Sequence, residues 1–430
     1  MRAGAQAGRD CNVSTVKDMT PSVERANFNH LVMDIAWFGL ALAATSRFLS
    51  VYAIRLGATP VELGWITALP FIVLLGSNLL STWWRRHFPD SINALFWPAL
   101  GMRLMFLLPA LTPLFPPHLQ PGWLILSAAL PAIPQGISST IFLVMMREAV
   151  PENTLTRLLS QRSLWMNVAI GAAALVFGFW LEQAPFPTNY QVMFLIAFLA
   201  ALFSQIHVLR IRVQPAPVVA QRRVVSAQPL RQGAFQRTVV IALIIHLSFF
   251  ALIPVTPLHL VRTLGASEGF VALFGIAELM AAATVCMFTD RIIQRIGSRA
   301  MVGFAMLGTA LAALILAGAH NLPVTLITGA ISGASWTAAT IGLFGVFTDS
   351  THNVPMGEMT NYTIIYHQVI YLAAFVGPLI GSNLAHAGLS LVFVMVVGAL
   401  LRLAAGGAVL KLDALWTLTA HHSRRAYRRY

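Results

Sequence analysis

Charge is scarce in this chain, and most of it has one sign. Acidic residues number 15 against 28 Lys and Arg, and the two kinds together make up 10 % of the 430 residues. Soluble domains carry roughly 25 %, so this chain is too poor in charge to face water over most of its surface. Cysteine is almost absent. Cys11 and Cys286 are the only two, too few for a disulfide framework or a thiolate metal site. No Gly-x-x-x-x-Gly-Lys-Ser/Thr stretch occurs, so the chain has no such loop to cradle nucleotide phosphates. Any uphill work must draw on a gradient rather than on ATP hydrolysed here. There is also no paired His/Glu metal motif and no nucleophile set beside a base, so neither an enzyme nor a cofactor is expected. The first 27 residues are polar and lack a short apolar core before a cleavage site, which argues against a removable signal peptide.

What the sequence has in abundance is apolar length. Hydrophobic residues make up 57 % of it, with a mean hydropathy of +0.73. Apolar runs of roughly twenty residues, the length that crosses a bilayer as a helix, recur from Phe28 to Lys411. Twelve such helices are expected, which makes this an all-α polytopic membrane protein. The first six are placed roughly at 28–53, 60–82, 91–114, 122–146, 161–182 and 189–209. The second six are placed roughly at 238–261, 268–289, 300–319, 322–347, 361–385 and 388–411. The expected organisation is a tail (1–27), a six-helix bundle (28–209), a linker (210–237), a second six-helix bundle (238–411) and a basic tail (412–430).

Of the 28 Lys and Arg, 23 fall in the tails and on one alternating set of loops, whereas the opposite loops hold only Arg55 and Arg262. By the positive-inside rule this places both termini and the linker in the cytoplasm. The expected location is the plasma membrane, the inner membrane of a bacterial cell. The same placement accounts for the net charge of +13 without nucleic acid, because the basic side faces anionic lipid. The linker, with six Arg and no acid, reads as a solvated tether.

The halves resemble one another. "VYAIRLGATPVELGWI" (51–66) aligns with "HLVRTLGASEGFVALF" (259–274) at an offset of 208 residues. Both share Leu-Gly-Ala followed by Thr or Ser, as suits a tight turn at Gly and a hydroxyl capping the next helix. A second landmark is "FTDRIIQRIGSR" (288–299), four charges between the eighth and ninth helices. Here the chain resembles the major facilitator superfamily, whose loop signature reads Gly-x-x-x-Asp-Arg-x-Gly-Arg-Arg with variations. The matching residues are Asp290, Arg291, Gly297 and Arg299, with a longer Asp–Gly spacing than usual. The resemblance implies two bundles around a midplane site and a charged gate at these four residues that locks one conformation. The first half departs from the pattern: Thr82 stands at the acid's position, while Arg85 and Arg86 remain and Trp83–Trp84 suit an interfacial anchor. In the fourth helix, Gln135 and Gly136 fit the family, but Ala132 occupies the usual Arg position. The fifth helix lacks the Gly-Pro pair of drug/proton antiporters, and a Gly-Pro occurs instead in the eleventh, at Gly377–Pro378.

Ionisable groups deep in a bilayer are functional candidates by default. Asp34 and Arg47 lie in the first helix, Arg103 in the third and Glu278 mid-way along the eighth. Asp34 and Arg47 are about 20 Å apart along their helix and cannot pair. Glu278 is suited to take up and release a proton, and Arg103 calls for a carboxylate, an aromatic face or an anionic substrate. Arg402 is read as near enough the inner surface to snorkel. His246 of the seventh helix and Tyr366 and His367 of the eleventh complete the candidates, each with core packing or a plain hydrogen bond as the competing reading. Trp37 and Trp336 read as core.

The expectation is therefore a monomeric secondary transporter whose partners are a small-molecule substrate, possible coupling protons and membrane lipids. The alternative is a sensor of the same fold, which binds ligand without counterflow. Three deep arginines against two deep acids point to an anionic or zwitterionic compound, whereas the apolar helices would equally suit a lipophilic drug.

Overall fold

The computed structural model describes residues 20–213 and 226–427. Among these residues the regular structure is all helical, with twelve helices long and apolar enough to cross a membrane. The first six are α1 (Pro21–Arg55), α2 (Pro60–Leu80), α3 (Ser91–Leu114), α4 (Pro117–Ala149), α5 (Arg157–Gln183) and α6 (Thr188–Leu209). The second six are α7 (Gly233–Thr263), α8 (Glu268–Ile296), α9 (Ser298–Ala317), α10 (Leu322–Ser350), α11 (Asn361–His386) and α12 (Leu391–Lys411).

Several expected boundaries move. Helix α1 begins at Pro21 rather than 28, because Pro at its first position and Glu24 in its first turn start a helix before the apolar run does. Helix α7 likewise starts inside the expected linker, at Gly233. The helix that contains α12 continues as far as Tyr427, into the expected basic tail. Residues 1–19 of the N-terminal tail and 214–225 of the linker lie outside the described residues.

The repeated turn has a physical cause in both halves. Gly57 and Gly265 sit at φ +83° and +69°, the left-handed region that a side chain disfavours. Two residues later, Thr59 caps α2 in a capping box with Glu62, and Ser267 caps α8 by accepting from Phe270 N. The same two devices at an offset of 208 residues therefore start the second helix of each bundle.

Core packing divides the molecule along its long axis. At the arginine-poor end one continuous apolar cluster spans both bundles, from Phe48 and Tyr52 through Tyr190 to Leu260, Phe274 and Met395. At the basic end there are two separate clusters. One, around Leu31, Met145 and Leu158, belongs to the first bundle, and the other, around Phe235, Met306 and Tyr362, to the second. The bundles meet mainly through α2 against α11 and α5 against α8. These pairs approach closely because of small residues: Gly64 faces Ser382, and Gly178 faces Ala272 and Gly269. The buried apolar core is thus shared between the halves at one end and separate for each at the other.

Candidate functional site

Two helices lose regular α geometry where the bundles face each other. Helix α1 contains a π turn at Ala44–Phe48, and Arg47 lies within it. Helix α7 is regular to Phe250 and then turns through residues 251–254, after which Val255–Leu258 and a π turn at His259–Thr263 follow. Pro254 and Pro257 supply no N–H to the preceding turn, which accounts for the break. Irregular backbone at membrane depth is tolerated where it lines a cavity, and π turns often mark functional sites.

A cavity of about 330 Å³ lies there, walled by α7, α8, α9, α10 and α12 and closed on one side by α1. Its lining includes Arg47, Ser50, Phe249, Glu278, Ser332 and Arg402. Arg47 Nη1 donates to Glu278 Oε2 at 2.6 Å, an ion pair between the two bundles with side chains 20 % and 27 % exposed. Arg47 Nε is buried without a hydrogen-bond partner among the described residues. The guanidinium fits because Gly275 has no side chain, and a Cβ there would lie 2.9 Å from Arg47 Cζ and Nε. Glu278 in turn sits where α8 and α10 touch, since a Cβ on Gly333 would collide with its backbone.

Arg402 corrects the sequence reading. It does not snorkel: it is 5 % exposed, and its guanidinium bonds the carbonyls of Ser248 (3.3 Å), Thr309 (3.0 Å) and Phe249 (2.9 Å). Its charge lies 4.7 Å from the centre of the Phe249 ring, which stacks on Trp336 at 3.7 Å.

At the arginine-poor end Glu268 joins the bundles. It accepts from Arg55 Nε (2.8 Å), Arg55 Nη2 (3.1 Å) and the Tyr190 hydroxyl (3.0 Å). Tyr190 is held by a face-to-face stack on Tyr52, 4.4 Å between centres. Two further bonds cross the same seam: Arg262 Nη2 to the Ala58 carbonyl (2.6 Å) and Gly269 N to Glu182 Oε1 (3.0 Å). The sequence reading missed this closure. A signal was available, because Arg55 and Arg262 are the only cations on the arginine-poor loops and Glu182 and Glu268 flank the same membrane edge.

The remaining candidates lie elsewhere. Asp34 and Arg103 are buried together inside the first bundle, outside the cavity lining. Asp34 pairs with Arg162 at 3.0 Å, receives Ser204 Oγ at 2.7 Å and lies 4.0 Å from Arg103 Nη2. Arg162 also bonds the Leu31 carbonyl, while Arg103 bonds the Ala201 and Ala99 carbonyls at 2.6 and 2.7 Å. This network ties α1, α3, α5 and α6 together. His246 Nδ1 donates to the Ala242 carbonyl of its own helix at 2.8 Å, and the ring packs edge-on against Trp336. Tyr366 packs on Phe347 in the second bundle's core, and His367 is exposed and bonds Thr363 O. Gln135 is half-buried on α4 and is absent from the cavity lining. At the basic end Asp290 and Arg291 are exposed, and Gly297 ends α8 at φ +83°. No carboxylate–cation distance within 4.0 Å involves Asp290 among the described residues.

Residues 28–378 match the sequence model of the Major Facilitator Superfamily. No curated protein is matched by sequence. Among solved structures, the chain is similar to a D-xylose–proton symporter (TM-score 0.67, 15 % identity, covering 90 % of this chain and 97 % of that one). It is also similar to a bacterial homologue of the iron transporter ferroportin in an inward-facing state (0.69, 13 %, 91 % and 99 %). A third is the partially occluded, inward-open xylose transporter XylE from E. coli (0.64, 14 %, 91 % and 98 %). At these identities the likeness is one of fold.

Proposed function

This chain belongs to the major facilitator superfamily and is a secondary transporter, and we propose that it works by alternating access coupled to proton uptake at Glu278. Its cargo, a small molecule, occupies the cavity beside Arg47 and Glu278. The observation that carries this reading is the Arg47–Glu278 pair, which joins the two bundles across the binding cavity. An ionised pair holds the bundles together in the middle. Protonating Glu278 removes one charge and releases Arg47, so proton binding, cargo binding and bundle movement become linked through one contact.

The arginine-rich face is the cytoplasmic one, both termini lie on that side, and the membrane is the plasma membrane, as the distribution of Lys and Arg supports. In that orientation the Glu268 seam closes the outer end while the separate cores part the inner end, an inward-facing arrangement. Rocking the bundles outward breaks the Glu268 contacts and brings the inner ends together, where Asp290, Arg291, Gly297 and Arg299 form the gate.

Thermal-shift screening of the purified protein against metabolites and drugs identifies a cargo, and flux into proteoliposomes tests the coupling. Accumulation driven by an imposed pH gradient in the native chain, lost in Glu278→Gln while counterflow persists, is the expected result. Flux that ignores the pH gradient refutes the coupling, and ligand binding without counterflow refutes transport.

A further inference from the structure

We propose that the cargo is an organic anion, a carboxylate on a compact apolar body, and that Arg402 anchors its charge. The proposal rests on the transport reading above and specifies its substrate class. It follows from pairing off the buried charges. Asp34 is matched by Arg162, with Arg103 close by, Glu278 by Arg47, and Glu268 by Arg55. Arg402 has no carboxylate within 4.0 Å among the described residues, although it is 5 % exposed and lines the cavity. Its carbonyl partners satisfy hydrogen bonds but carry no net charge to neutralise it. Of the five N–H donors on a guanidinium, those three contacts occupy only part.

The same contacts hold Arg402 rigid. The carbonyls of Ser248 and Phe249 belong to the last regular turn of α7 before its break, where intrahelical donors run out. A cation suits that negative helix end, and the Phe249 ring, backed by Trp336, fixes the plane of the guanidinium. A planar fork held in one orientation beside a cavity is matched to carboxylate geometry. The remaining walls describe the body of the ligand. Leu252, Leu260, Phe274 and Met395 are apolar. Of the five hydroxyls on the lining, those of Thr256 and Thr328 are spent on carbonyls of their own helices, and Ser46, Ser50 and Ser332 add the polar points. At about 330 Å³ the space lies at the small end of ligand pockets, which run to about 1,000 Å³. The ionisable residues on the lining are Arg47, Glu278 and Arg402. Their sum is +1 with Glu278 ionised, so a monoanion brings the cavity to neutrality, whereas a cation doubles the imbalance.

The test compares probes of one shape and three charges. Benzoate, benzamide and benzylamine at equal concentration are added to the purified protein, and the unfolding temperature is recorded, with acetate and phenylacetate extending the carboxylate series. Benzoate or phenylacetate raises the unfolding temperature, and benzamide and benzylamine do not. Arg402→Gln weakens that carboxylate at least tenfold, and Arg402→Lys keeps part of the effect. Should Arg402→Gln not fold, the three-charge comparison on the native chain and the Lys variant decide the matter. Equal stabilisation by benzamide or benzylamine overturns the proposal, as does undiminished benzoate binding by Arg402→Gln or no response to any carboxylate. Counterflow of labelled benzoate in proteoliposomes separates the two readings. Arg402-dependent binding without counterflow leaves the anion site standing and removes transport. Counterflow of benzamide without that of benzoate does the reverse.

Discussion

Replacing Glu268 with Gln removes the charge at the centre of the closed seam while keeping its size. The Arg55 side chain is 39 % exposed, so its pair with Glu268 is screened and contributes only about 1 kcal/mol or less. The Tyr190 hydroxyl bond is buried and ends on a carboxylate, a class that contributes about 1.5–3 kcal/mol. Gln retains one acceptor oxygen, so part of the second contribution survives. A net loss of about 1–3 kcal/mol shifts the equilibrium between closed and open seam by roughly 5- to 150-fold, at about 1.4 kcal/mol per factor of ten. Spin labels on Leu119 and Leu389 report the shift. Both are exposed on the arginine-poor face, one on each bundle, so double electron–electron resonance between them measures the width of that end. The native chain gives one short distance, and Glu268→Gln adds a substantial longer population. A distance distribution identical in the two proteins refutes the claim that this network closes the seam.

Three further substitutions separate site from scaffold. Asp34→Asn leaves the buried Arg103 and Arg162 without their counter-charge; a loss of about 3–5 kcal/mol is expected, seen as a lowered unfolding temperature while ligand preference stays unchanged. Gly275→Val places a side chain against the Arg47 guanidinium, so the expected result is a stable protein whose proton-coupled flux falls at least tenfold, measured in proteoliposomes. Gly297→Ala forces a residue with a Cβ to φ +83°, ψ 159° and costs about 1–3 kcal/mol, read as a lowered unfolding temperature.

The helices were legible because a bilayer imposes one strong rule, roughly twenty apolar residues per crossing. Their ends were less so, since the first turn of α1 is polar and is announced by Pro21 and Glu24 rather than by hydropathy. Within the site, Arg47 and Glu278 each stood out alone as a charge in oil. Their pairing did not, because 231 residues separate them and only the docking of two bundles brings them together. Arg103 and Asp34 stood out for the same reason, yet both are held with Arg162 in one network inside the first bundle, which the sequence cannot distinguish from a binding role. Arg402 was misplaced by assuming that it could reach the surface, although it lies halfway along Leu391–Lys411. The Glu268 closure escaped because a charge beside a loop reads as solvated until its partners are seen.

Alternating exposure of the cavity is most directly tested by placing a single cysteine at Ser332 in a chain whose Cys11 and Cys286 are replaced by Ser. A membrane-impermeant thiol reagent is then applied to either face of sealed vesicles. The expected result is modification from the basic face alone in the otherwise native chain, and from the opposite face as well once Glu268→Gln is added. Modification from the arginine-poor face in the presence of Glu268, or the same pattern in both proteins, contradicts a cavity gated by that seam.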